Sequence, residues 1–225
     1  LDSVGDEVDA FGGDKDLARK QAGVKSYDFL GDLPVNGGTS TLIYSHRSQR
    51  IERSHLSLIG TVRNCAGGAT PWGSWLSCEE TLLGKAQGYG REHGYIFEVP
   101  SLSKGLVDAV PLTAMGRFVH EAAAVDSTNG IVYLSEDTDR SLFYRFIPTT
   151  PGKLVAGGRL QALAIRGWPS AHTRNWPEDA ADNNAQTIAM RQRFKCEWVD
   201  LDEVTAPEGD LNIRGEAKGA AIFAR

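Results

Sequence analysis

Short runs of β-branched and aromatic residues, broken by glycine or polar turns, recur along the chain and predict strands. The clearest are Thr39 to Tyr44, His55 to Val62, Gly94 to Val99, Ile131 to Ser135, Leu142 to Ile147, Leu160 to Ile165 and Ala220 to Ala224. The runs starting at Ile131 and Leu142 flank EDTDR, which reads as a hairpin with a mostly charged connection. Helical character is confined to DLARKQAG near the start and to NNAQTIAMRQRF, each too short to organise a fold. No alternation of strands with helices is present, so a parallel sheet with crossover helices is excluded and an all-β sandwich, barrel or propeller is expected. The segment RGWPSAHTRNWPEDAADN, from Arg166 to Asn183, interrupts the pattern as a long excursion that Trp168 and Trp176 would pin to the surface or fold over a site as a lid.

Composition narrows the class. The chain has 225 residues, 41% of them hydrophobic, enough for a real core, and its 25 glycines favour turn-rich β architecture. With 29 acidic against 24 basic side chains, the electrostatic footprint of nucleic-acid binding is missing. No apolar stretch approaches the roughly 20 residues that cross a bilayer, and LDSVGDEVDAFGG at the start has neither a basic nor an apolar leader segment. The three cysteines, Cys65, Cys78 and Cys196, form no CxxC pair and allow at most one disulfide.

Candidate chemistry lies in three clusters. In GTVRNCAGGATPWGSWLSCEE, Cys65 precedes two glycines that permit tight turning and close backbone approach. The residues alone leave Cys65 open as a small buried hydrophobe or as a thiolate ligand for a soft or redox-active metal. Glu79 and Glu80 end the apolar run WLSC, and strand alternation sends them to opposite faces, one toward a site and one to cap or pair. In GRFVHEAAAVD, Glu121 enters a run of small apolar residues, where a charge is costly unless it is paired or bound to metal, while His120 reads as structural. In VYLSEDTDR, Glu136 and Asp137 follow a buried-looking strand and fit a solvated hairpin tip or a calcium loop. These carboxylates recur at intervals of roughly 15 to 42 residues, the latter about one propeller blade, and blades around a central channel would let them converge on multiply charged cations. Bound cations would then attract phosphate despite the acidic balance of the chain.

The ordered succession NGGTSTLIY, LSLIGTVRNCAGGATPWGSWLSCEET, HGYIFEVP, GRFVHEAAAVD and GIVYLSEDTDRSLFYRFIP, from Asn36 to Pro148, resembles the PhoX alkaline phosphatase family. The resemblance implies a six-bladed β-propeller in an exported, periplasmic or secreted bacterial phosphatase that acts on small-molecule phosphomonoesters. It implies an iron pair (Fe3+) joined by an oxide, together with calcium ions. Cys65 then becomes an iron ligand, and Glu79 or Glu80, Glu121 and the Glu136/Asp137 pair become candidate iron or calcium ligands.

Near the end, GEAKGAAIFAR resembles the stretch leading to a family arginine that contacts phosphate, matched here by Arg225. A metal-binding glutamate that follows it by two residues in the family has no counterpart. Residues 1–225 are therefore expected to form one incomplete propeller domain, completed by a missing C-terminal segment or by another chain. Two other functions fit the same acid-lined architecture. One is a non-catalytic, calcium-stabilised propeller that binds a partner; the other is a calcium-dependent lactonase-like hydrolase, which would not require Cys65.

Overall fold

A computed structural model describes residues 16, 19–20, 23–175 and 186–223. The chain is mostly β, as the patterning requires. Two short strands, β1 (Phe29–Leu30) and β2 (Leu33–Pro34), pair with each other, and a long hairpin follows, β3 (Gly37–Ser45) against β4 (Arg50–Thr61). The main sheet holds β5 (Asn64–Ala69), β6 (Ser74–Glu79), β7 (Ile96–Pro100), β8 (His120–Val125), β9 (Val132–Glu136), β10 (Phe143–Pro148), β11 (Gly158–Ile165) and β12 (Cys196–Asp200). One seven-residue helix, α1 (Leu211–Ala217), packs near its far end.

The strand order in the main sheet is β12-β11-β10-β9-β8-β5-β6-β7. Every neighbouring pair is antiparallel except β5 and β8, which meet in parallel at Gly67 and Ala122. The sheet is thus two antiparallel meanders, β5 to β7 and β8 to β12, joined along their first strands. No closed propeller is formed among the described residues.

The meanders bury a common core. Leu76, Cys78 and Ile96 from the first pack with Val132, Leu134, Tyr144, Phe146, Leu160 and Ala162 from the second. Period-two alternation explains this choice of residues, since Val132 and Leu134, or Tyr144 and Phe146, share one face of a strand. A second cluster, Tyr27, Leu58, Tyr95, Phe97 and Val99, seats the base of the β3–β4 hairpin on the outer face of the first meander. Its tip is exposed, with Leu42, Ile43, Tyr44 and Ile51 all more than two-fifths accessible.

Two expected elements differ. NNAQTIAMRQRF does not form a helix over its described part, residues 186–194. The Asn175 side chain accepts from the Ile188 N–H at 2.8 Å and donates to the Ile188 carbonyl at 2.7 Å, which diverts the backbone from helical pairing. Of the strand expected at Ala220 to Ala224, the described residues 220–223 make only isolated bridges, Phe223 with Ser141 and Ile222 with His172. In the helix expected at DLARKQAG the described residues Asp16, Arg19 and Lys20 are helical, while residues 17, 18, 21 and 22 lie outside the described residues, as do Trp176 and Arg225. Trp168, the other tryptophan of the excursion, is buried against Ile165, Ala171 and Ala221. No described helix is long and apolar enough to cross a membrane.

Candidate metal centre

The NCAGG segment forms β5, wedged between β6 and β8. Its two glycines are needed for that position. A Cβ on Gly67 would lie 1.9 Å from the Leu76 carbonyl oxygen, and one on Gly68 would lie 1.8 Å from that of Ala123. Gly67 also has φ +62°, the left-handed region that side chains avoid. Both strands of the junction carry a bulge at this level. Ala66 and Gly67 oppose the single residue Ser77 between the pairs Cys65–Cys78 and Gly68–Leu76. Likewise, Glu121 and Ala122 oppose Ser135 between His120–Glu136 and Ala123–Leu134. A bulge turns a side chain out of the regular alternation, and here two of them face the same corner.

Into that corner come Glu80 from the end of β6, Glu121 from β8 and Asp137 from the end of β9. One oxygen of each lies within 4.8 Å of the others, and all three residues are half-buried. Backbone bonds fix their stems. The Glu80 N–H donates to the Arg63 carbonyl at 3.0 Å, and the Asp137 N–H donates to the Val119 carbonyl at 3.0 Å. Ser135 Oγ donates to Glu121 at 3.4 Å and accepts from the Ala122 N–H at 3.1 Å. Partial burial raises the Glu80 carboxyl above its usual range, and hydrogen bonding and repulsion from Asp137 push the same way. Arg63, 3.9 Å from Glu80, opposes them. The Cys65 thiol is not among the donor atoms that lie within 4.8 Å of one another, but it is near enough that the charges of Glu80 and Glu121 add to burial in holding it above its ordinary range, against the Ala66 N–H. Three carboxylate oxygens at such spacing, beside a thiol, form an arrangement able to hold a metal ion.

The remaining candidates point elsewhere. Glu79 is fully buried and its oxygens are occupied by protein donors: the N–H groups of Val62, Gly94 and Tyr95 at 2.9, 2.9 and 3.2 Å, and His93 Nδ1 at 2.7 Å. Glu136 is buried too, accepting from the Leu142 N–H and the Tyr144 hydroxyl at 2.9 Å each, and burial pushes its carboxyl up to about 7 against those bonds. Alternation thus divides each acidic pair, sending Glu80 and Asp137 to the corner and Glu79 and Glu136 inward. His120 packs against Phe118 with ring centroids 3.5 Å apart and planes tilted by 31°, and complete burial lowers its imidazole to about 3. It is neutral and donates from Nε2 to the Gly116 carbonyl at 3.1 Å.

Sequence reasoning missed the groups that brace this corner. His93, fully buried, bridges Glu79 and, at 3.2 Å through Nε2, Asp28, which also accepts from the Gly90 and Arg91 N–H groups. Arg117 donates to the carbonyls of Leu82, His93, Ala206 and Pro207 and pairs with Glu92 at 2.9 Å. The only signal was a charged residue beside an apolar run, His93 before GYIF and Arg117 before FV.

Residues 34–223 match the family model described as alkaline phosphatase PhoX. The chain belongs to the PhoX alkaline phosphatase family. Among solved structures, Pseudomonas fluorescens PhoX in complex with vanadate, a transition state analogue, is similar at 20% identity and a TM-score of 0.39. The match covers 64% of this chain and 37% of that one, so the chain spans well under half the length of that PhoX protein. A comparison with curated proteins finds no match.

Proposed function

We propose that this PhoX chain carries residues of a metal-dependent centre that hydrolyses phosphomonoesters to inorganic phosphate. The observation that carries the reading is the convergence of Glu80, Glu121 and Asp137 within 4.8 Å, beside Cys65, in a chain of this family. These four residues would hold the metal. The thiol suits iron and does not suit calcium, whereas the carboxylates suit either an iron(III) pair or calcium. Bound there, the cations would supply Lewis acidity toward the phosphate oxygens and offset the charge that builds on them.

The protein's own contribution is positional. The two bulges aim Cys65 and Glu121, Ser135 orients the Glu121 carboxylate, and the buried Asp28–His93–Glu79 array anchors the end of β6 from which Glu80 projects. Glu79 and Glu136, whose oxygens are engaged by protein donors, act as supports rather than ligands in this reading. Arg225 is the proposed phosphate contact. The two meanders are read as successive blades of a propeller whose channel is lined by their first strands, β5 and β8. The proposed location is periplasmic or secreted, by family membership.

The test is iron and calcium content by elemental analysis, together with turnover of p-nitrophenyl phosphate and of a simple lactone. Iron and calcium with phosphate ester turnover support the reading. Calcium alone with lactone turnover would contradict it.

A further inference from the structure

Cys65 and Cys78 are directly opposite one another in the antiparallel β5–β6 ladder, and both are reduced. Opposed residues of such a ladder share a face and keep their Cβ atoms about 4.5–5.5 Å apart. A disulfide needs about 3.5–4.5 Å between Cβ atoms, so closure asks for an approach of roughly 1 Å. The place where that movement can be absorbed is adjacent in sequence, at the bulge where Ala66 and Gly67 oppose Ser77. The two sulfurs differ in access, since Cys65 is half-buried at the corner with Glu80 and Glu121, while Cys78 is fully buried in the core below it. Cys196, the third thiol, is exposed on β12 and belongs to neither.

The geometry points to a thiol–disulfide switch in which Cys65 pairs with Cys78 and is withdrawn from the carboxylate corner. The oxidant is a low-molecular-weight disulfide. The Cys65 thiolate attacks one of its sulfurs, forming a mixed disulfide and releasing one thiol. The Cys78 sulfur attacks Cys65 Sγ, and its proton passes to the departing small thiolate, since Cys78 itself is shut off from solvent. The protein disulfide forms and the second small thiol leaves, so two protein thiols are oxidised while one small disulfide is reduced to two thiols. The strand register alone supports the bond; its effect on the centre rests on the proposed role of Cys65 as a ligand. An oxidising compartment of the kind proposed above would make the pairing consequential, because a metal on Cys65 and a disulfide to Cys78 are mutually exclusive.

The test uses the purified chain with the exposed cysteine removed, Cys196→Ser, treated with chelator and then with oxidised glutathione without denaturant. Alkylation, intact mass and peptide mapping follow. The expected result is loss of both alkylatable thiols, a decrease of about 2 Da for two hydrogens, and a linked peptide containing Cys65 and Cys78. With Cys78→Ala added, the reaction stops at Cys65 carrying glutathione. Two thiols still alkylated, or a lasting glutathione adduct on Cys65 beside free Cys78, overturns the inference. A parallel sample preloaded with ferric iron separates the two claims. Protection of the thiols supports the switch at the centre, whereas oxidation as fast as in the chelated sample leaves the disulfide standing and removes Cys65 from the ligand set.

Discussion

Replacing Glu121 with Gln keeps the size and the hydrogen bond from Ser135 but removes one of three carboxylates whose oxygens lie within 4.8 Å of one another. Two unit charges at that distance repel by about 1 kcal/mol at the dielectric of water and about 3 kcal/mol at an effective value near 20. The three residues are half-buried, and the proton affinity of Glu80 is already raised by burial and Asp137, so part of the repulsion is relieved and the low end applies. Glu121→Gln eliminates two pairs, one with Glu80 and one with Asp137, so the chelator-treated variant should be more stable by about 2 kcal/mol. For a chain of this size that is a rise in melting temperature of roughly 4–8 °C. Calcium should reverse the ranking. At a hundred times its dissociation constant it would add about 2.7 kcal/mol to the parent chain, and most of that should vanish in the variant. The assay is differential scanning fluorimetry at pH 8, with chelator and with calcium. A variant that melts lower than the parent in chelator, or that keeps the full calcium increment, would show that the three carboxylates neither repel one another nor share a cation.

Three further outcomes are expected. Gly68→Ala places a Cβ 1.8 Å from the Ala123 carbonyl oxygen, so it should force β5 from β8 and cost several kcal/mol, read as a melting temperature lower by about 10 °C or more. Arg117→Met should cost about 3–5 kcal/mol in denaturant titration, because it strands four carbonyl acceptors and Glu92. His93 has burial pulling its imidazole down, but Glu79 and Asp28 on its two nitrogens outweigh this and hold it above the ordinary value of about 6.5. Its folded-state proton affinity is raised, so the stability it contributes is fully present below about pH 6.5 and is lost as pH rises through the higher folded value; His93→Gln should flatten that alkaline decline in chemical denaturation, and an unchanged pH profile would remove the ion array from the account.

The strand runs at Thr39–Tyr44, His55–Val62, Gly94–Val99, Ile131–Ser135, Leu142–Ile147 and Leu160–Ile165 all lie on observed strands to within two residues or so, because each is a short β-branched and aromatic run bounded by turn residues; only β9 and β10 alternate regularly between half-buried and buried positions. Strand β12 escaped notice since Cys196–Asp200 is largely surface-facing and mixed in polarity, and α1 escaped because LNIRGEA has a glycine at its centre, which packs against Leu142. Alternation also made legible that Glu79 and Glu80 must part company; Glu136 and Asp137, read together as a hairpin tip or calcium loop, separate in the same way. Which member reaches the corner was not legible, because the direction is set by two bulges and by the parallel β5–β8 contact, and none of these has a local sequence signature beyond paired glycines. The bracing role of His93 was invisible for the same reason, since Asp28, Glu79 and His93 meet only through the tertiary fold.

The central claim is that Cys65 and the carboxylates Glu80, Glu121 and Asp137 hold a metal together. Iron K-edge X-ray absorption of the iron-loaded chain reads the donor atoms directly. One sulfur among oxygen donors is expected, with the sulfur contribution lost in Cys65→Ser and the oxygen shell depleted in Asp137→Asn. An all-oxygen or all-nitrogen shell in the parent chain, unchanged by either substitution, would contradict it.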